Sequence, residues 1–163
     1  MTGETSDGGR AFWILITRES LWRQFRLNGA WAFHRFSMST AKRIRRGDVA
    51  FVYLTRESER IPGRIVSAVT IVAPGQSLPA EESRLEFYPY RVPFRVLADL
   101  SPYLEFTDVV GSLEFITRKA QYGLFLQGKS AIPLSLADAE AVLSAATERV
   151  PGSARKRLRD VVP

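Results

Sequence analysis

The chain has 163 residues, enough for one domain of ordinary size and too few for two comfortable ones. Its 45% hydrophobic and 25% charged residues support a real core. No apolar run approaches the roughly twenty residues that cross a bilayer, and the lack of cysteine excludes disulfides, thiolate metal sites and a cysteine nucleophile while suiting a reducing, cytoplasmic setting.

The opening "MTGETSDGGR" lacks the apolar segment of a secretory signal and reads as a disordered leader over residues 1–10. "AFWILIT" (11–17) is a short apolar run rich in β-formers, hence a buried strand. Thr17 is placed to cap a helix over "RESLWRQFRL", with Leu21, Trp22 and Phe25 on one side and "NG" at 28–29 as the stop. Trp31 to Ser37 reads as extended or looped, and "STAKRIRRGD" as a short cationic helix ending at Gly47. "DVAFVYLT" alternates as a strand, "RESERIPG" is a charged turn, and "RIVSAVTIV" is a further strand. Residues 73–86, with two prolines, Gly75 and three glutamates, read as an excursion.

"FYPYRVPFRVLADL" gives one long strand or two, with Pro89 and Pro93 marking an edge or a bulge. "LEFI" (113–116) and "LFLQG" (124–128) are expected to close the sheet. "LSLADAEAVLSAATERV" is a helix: Ser135 caps it, Asp138 follows three residues on, and Leu136, Ala139, Val142, Leu143 and Ala146 recur at helical spacing. Residues 148–163 read as a basic tail whose Arg155, Lys156, Arg157 and Arg159 either anchor a polyanion or keep the tail soluble. Five or six strands with short helices and no βαβ rhythm give an α+β fold: a mixed or antiparallel sheet curled towards a small barrel, within one domain at 11–147.

The formal net charge of +6 and pI near 10.1 argue for a polyanionic partner, and a general preference for arginine would raise both figures as well. No GxxxxGK[ST] or GxGxxG loop is present. A single histidine without cysteine gives no metal site, and His34 as the only base, with no GxSxG elbow, gives no hydrolase triad. The expectation is a non-catalytic protein without cofactor.

Trp31, at the start of a polar loop, offers either a face for a stacked base, worth ~1–3 kcal/mol, or a core cap. Tyr122 precedes a glycine where a ring can face a pocket or the core, while Trp13 and Trp22 read as core. His34, Ser37 and Ser39 offer polar contacts to a base edge, or are ordinary surface groups. Lys42, Arg43, Arg45 and Arg46 spread around a helix, either solvated or holding phosphates.

Taken in order, "FWILIT…W", "RRGDVAFVYL", "PYRV" and "GKSAIPLSLADAEAVL" resemble the EVE domain family of PUA-like small β-barrels over residues 12–146. The motif positions are Trp13, Trp31, Gly47–Asp48, Tyr122, where the family often has tryptophan, and Gly128–Lys129. The resemblance implies a barrel with short flanking helices and a pocket between the early Trp loop and the late aromatic. EVE domains are similar to YTH domains, which read a methylated base in an aromatic cage. By that likeness the chain would bind DNA or RNA containing a modified base, with Trp31 and Tyr122 as the cage, His34, Ser37 and Lys129 as polar contacts, and Lys42, Arg43, Arg45 and Arg46 on phosphates. The alternative is a sensor of free nucleosides or nucleotides built on the same pocket.

Overall fold

The computed structural model describes residues 9–55, 63–78 and 88–161. The chain runs from β1 (Phe12–Thr17) through α1 (Glu19–Asn28) to β2 (Ala30–Phe33), then by a 3-10 turn at Arg35–Ser37 into the single turn of α2 (Met38–Ala41). β3 (Val49–Leu54), β4 (Arg64–Ile71), the two-residue β5 (Gln76–Ser77) and the long β6 (Tyr90–Glu105) follow. The last part holds α3 (Phe106–Val109), α4 (Gly123–Leu126), β7 (Ala131–Leu134), α5 (Leu136–Thr147) and α6 (Gly152–Arg159).

The strands form one curled sheet in the order β2-β6-β4-β3-β1-β7, with β5 beside β6. The fold is therefore α+β: an open half-barrel with short helices. β1 and β3 pair in parallel, and the other pairs are antiparallel. Every residue of β1 and β3 is buried, because the sheet is covered on both faces. Phe12, Ile14 and Ile16 join a core with α3, α5 and α6 on one face. Trp13 and Leu15 point the other way, into the barrel, where they meet Trp22, Phe25, Trp31, Phe33, Val92 and Phe94. Register shifts at Ile65/Ser67 and Ala68/Val69 bend β4 against β6, and this bend curls the sheet.

Several sequence expectations change. Arg18, not Thr17, stands at the α1 N-cap, with no side-chain cap bond. Gly29 does end the helix, in the left-handed conformation at φ 67° that favours glycine. The cationic helix is only the four residues of α2, and the chain then turns to Gly47.

"LEFI" and "LFLQG" are not strands. Leu113 and Ile116 bury themselves from a turn, and Glu114 and Phe115 donate their N–H groups to the Asp138 carboxylate at the start of α5 (2.6 and 3.3 Å). Leu126 buries from α4, leaving β7 to close the sheet alone. The basic tail is a helix: Ala154, Leu158 and Val161 bury at four- and three-residue spacing, and Arg157 Nε donates to Leu97 O at 2.8 Å. Arg10, read as the last residue of the leader, donates its Nε–H to Gly47 O; residues 1–8 lie outside the described part. So do the charged turn at 56–62 and residues 79–87 of the excursion and the stretch after it. Among the described residues no helix is long and apolar enough to cross a membrane.

Candidate functional site

The two ends of the sheet, β2 and β7, leave the half-barrel open between them, and the chain from His34 to Asp48 crosses that opening. It is fastened in two places. The Ser37 and Ser130 hydroxyls lie 3.0 Å apart just before β7. At the far end the Asp48 carboxylate, 3% exposed, accepts three N–H donors: Ala11 N (3.1 Å), Trp13 Nε1 (3.0 Å) and Arg45 N (2.9 Å). A buried carboxylate is tolerable only when so satisfied. Gly47, at φ 90°, makes the turn that delivers Asp48 to this position. Ala41 and Ile44 pack into the barrel beneath, which forces the polar residues between them outward.

What the segment presents outward is aromatic at one end and cationic at the other. His34 caps the 3-10 turn, its Nδ1 accepting the Phe36 N–H at 3.2 Å. The imidazole therefore lies stacked on the Phe36 ring (centroids 4.8 Å apart, 27° between planes), and Tyr88 meets it edge-on at 5.5 Å. The Arg35 guanidinium sits 5.1 Å from the Phe36 centroid. Phe36 is nonetheless 81% exposed. A large ring held out in solvent beside its stacked neighbours is a surface on which a further ring can pack.

Past α2, the Lys42, Arg43 and Arg45 side chains line a cavity of about 620 Å3, together with Arg10, Trp13 and the Pro133–Leu136 corner. Arg43 lies over the Trp13 ring at 5.7 Å. Among the described residues none of these four cations has a salt-bridge partner.

A larger cleft of about 1120 Å3 opens beside α1 and the far half of β6. It holds charge of both signs, already matched. Arg23 pairs with Glu19 (2.6 Å), Arg26 with Asp99 through two 2.6 Å bonds, Arg64 with Glu105 (3.1 Å) and Arg149 with Asp108 (3.7 Å). The Arg26 hydrogen bonds hold the Asp99 carboxyl below the usual carboxylate range, against the opposing pull of burial, and Ser67 Oγ adds a 2.6 Å bond. Asp99 in turn raises the Arg26 guanidinium. Size alone would choose this cleft, but its charges are spent.

The structure brings together some of the residues singled out in the sequence. His34 and Ser37 share the outward turn, with Lys129 exposed one residue from Ser130. Lys42, Arg43 and Arg45 converge because the chain leaves the helix after Ala41, so they do not fan around it; Arg46 is exposed beside them.

Trp31 and Tyr122 are not brought together. Trp31, 1% exposed, is inside the barrel with Phe25 at 4.9 Å and Trp22 at 5.9 Å. Tyr122, 7% exposed, packs against Phe106 at 5.3 Å in the core on the other face of the sheet. The expected two-ring cage is thus corrected: the sheet itself separates its walls. Phe36, Tyr88, Ser130 and Arg10 were missed. For Phe36 the available signal was a large aromatic directly after "HR", too polar a setting for a core position. Among the described residues no three of His, Asp and Glu gather as a metal site requires.

No protein-family model matches the chain. It is 25% identical over 127 residues to a UPF0310 protein of Pyrococcus abyssi, covering 74% of this chain and 88% of that protein. Solved structures similar in fold include the following three. A protein of Rhodopseudomonas palustris has a TM-score of 0.59 at 21% identity, over 83% of this chain and 92% of that one. Human THYN1, solved with DNA containing 5-methylcytosine, has a TM-score of 0.59 at 15% identity, over 86% and 99%. The YTH domain-containing protein Mmi1, solved with RNA, has a TM-score of 0.59 at 8% identity, over 85% and 82%. At such identities the likeness is one of architecture: the half-barrel described above is the fold shared by THYN1 and the YTH domain.

Proposed function

We propose that this chain is an EVE-type module that binds nucleic acid and reads a modified base on it without catalysing a reaction. One observation carries the reading. The segment that crosses the barrel opening displays an exposed, pre-stacked ring pair and, directly after it, cations with no acidic partner among the described residues. Stacking needs the first and phosphates need the second. The complexes of THYN1 with methylated DNA and of Mmi1 with RNA, on the same fold, support it.

In this reading a base stacks on Phe36 beside His34, within reach of the Ser37–Ser130 hydroxyl pair and Lys129. Lys42, Arg43, Arg45 and Arg46 take the flanking phosphates. Stacking contributes ~1–3 kcal/mol, and a methyl group discriminates by about as much, so affinity rests on the cations and preference on the rings. Drawing a base out of a duplex costs a few kcal/mol, which favours strands already open.

The test is binding of short DNA and RNA strands, with and without a methylated base, at two salt concentrations. A salt-steep affinity with preference for one modified base, lost in Phe36→Ala, is expected. Equal affinity for all bases leaves a phosphate-binding surface and overturns base reading. Binding of free nucleosides but of no strand replaces the reading with the small-ligand sensor.

A further inference from the structure

We infer that the cavity ringed by Arg10, Lys42, Arg43 and Arg45 is a receptor for a dianionic phosphomonoester, which a nucleic acid would supply at a 5′ end. The inference starts from shape and charge count. Contacts to mid-strand phosphates need only a stripe of cations, because each diester carries one charge and the chain continues on both sides. Here four cations from two separate stretches of sequence converge on one concavity of about 620 Å3, walled opposite by the Pro133–Leu136 corner.

Asp48 is the single acidic residue among its described lining residues, and its carboxylate is engaged by Ala11, Trp13 and Arg45 N–H groups. Four positive charges less one leave a local excess that a diester's single charge does not match. A monoester phosphate brings about −1.5 to −2 at neutral pH and three acceptor oxygens. Arg10 completes the ring. Its Nε is fixed on Gly47 O at 3.0 Å, so its guanidinium is held at the cavity and not free to wander. Arg43 lies over the Trp13 ring at 5.7 Å, on the same cavity.

As a property of an oligonucleotide end the inference rests on the function proposed above; as an anion receptor it stands alone, and the experiment separates the two. The intact protein is titrated against 3′-labelled strands bearing a 5′-phosphate or a 5′-hydroxyl, and inorganic phosphate and a 5′-mononucleotide are tested as competitors. A 5′-phosphate should tighten binding by about tenfold, in line with two added charge-assisted contacts. Arg10→Gln should erase that preference, read as the ratio of the two strands' affinities so that any loss common to both cancels.

Equal affinity for the two strands overturns the receptor and leaves nucleic-acid binding intact. A preference that survives Arg10→Gln also overturns it, since the phosphate must then sit elsewhere. Binding of the mononucleotide and inorganic phosphate, weakened by Arg10→Gln, with no strand bound, upholds the receptor and removes the nucleic-acid reading.

Discussion

Two concavities of this molecule, the cleft beside α1 and the cavity past α2, contain nearly the same chemistry and differ in its arrangement. The larger holds Arg23, Arg26, Arg64 and Arg149 and sets an acidic residue against each of them; the smaller holds Arg10, Lys42, Arg43 and Arg45 and, among the described residues, sets none, the Asp48 carboxylate being turned to backbone and indole donors. In the first, the Arg26–Asp99 pair fixes α1 to β6, and all four ion pairs give up their attraction for anything else. The second keeps its field. The lesson is that partnering, more than volume or count of basic residues, decides where a polyanion can dock.

Substitutions tell the two cavities apart. The largest effect belongs to neither cavity. Trp31→Ala should cost ~3–5 kcal/mol in denaturant unfolding, since it empties the ring cluster inside the barrel. An unfolding loss below about 1 kcal/mol would mean that the ring is not the core piece described. Replacing Lys42, Arg43, Arg45 and Arg46 together by Gln should weaken oligonucleotide binding about a hundredfold near 0.1 M salt and lower the salt slope by about three to four. A slope left unchanged would return these side chains to solvent.

Phe36→Ala should weaken strand binding about tenfold, within the ~1–3 kcal/mol range of one stacked base, with little change in melting temperature because the ring is exposed. Arg64→Gln, in the cleft, should alter binding by less than about twofold and stability by no more than ~1 kcal/mol, the upper end for an exposed pair. A cleft variant that matched the quadruple one would invert the comparison.

The smallest effect concerns acid. Arg26 holds Asp99 below its unfolded value, so the pair stabilises fully above the usual carboxylate pKa of about 3.9 and loses that contribution as pH falls through the depressed folded value. Both side chains are about half exposed, and solvent screening keeps the amount small. Asp99→Asn should remove this part of the acid dependence, read as midpoint denaturant concentration between pH 5 and 2.

Much of the fold was legible. β1 announces itself as an unbroken apolar run, and β3, read as an alternating strand, is apolar on both of its faces, which is what burial on both faces requires. Ser135 and Asp138 mark the start of α5, and the Ser135 hydroxyl does accept the Asp138 N–H at 3.1 Å. α6 was hidden because four basic residues swamp the Ala154, Leu158, Val161 face in any average over the segment. The strands expected at 113–116 and 124–128 failed for a related reason: short apolar runs are the same for a strand, a turn and one turn of helix, and tertiary contacts choose. The cage failed more instructively. Residue type can say that Trp31 and Tyr122 are large and apolar, but only the topology says that a sheet runs between them.

The strap across the barrel has a further consequence, for how such a protein can change over generations. Its inward residues, Ala41 and Ile44, and its anchor, Asp48, are bound by packing and hydrogen bonds, whereas the side chains of Lys42, Arg43, Arg45, Arg46 and Phe36 between and around them are exposed. Ligand preference can therefore drift by substitution at those outward positions without a stability penalty to be compensated elsewhere. A library randomised at the outward positions should keep folding, while one randomised at the inward three should not.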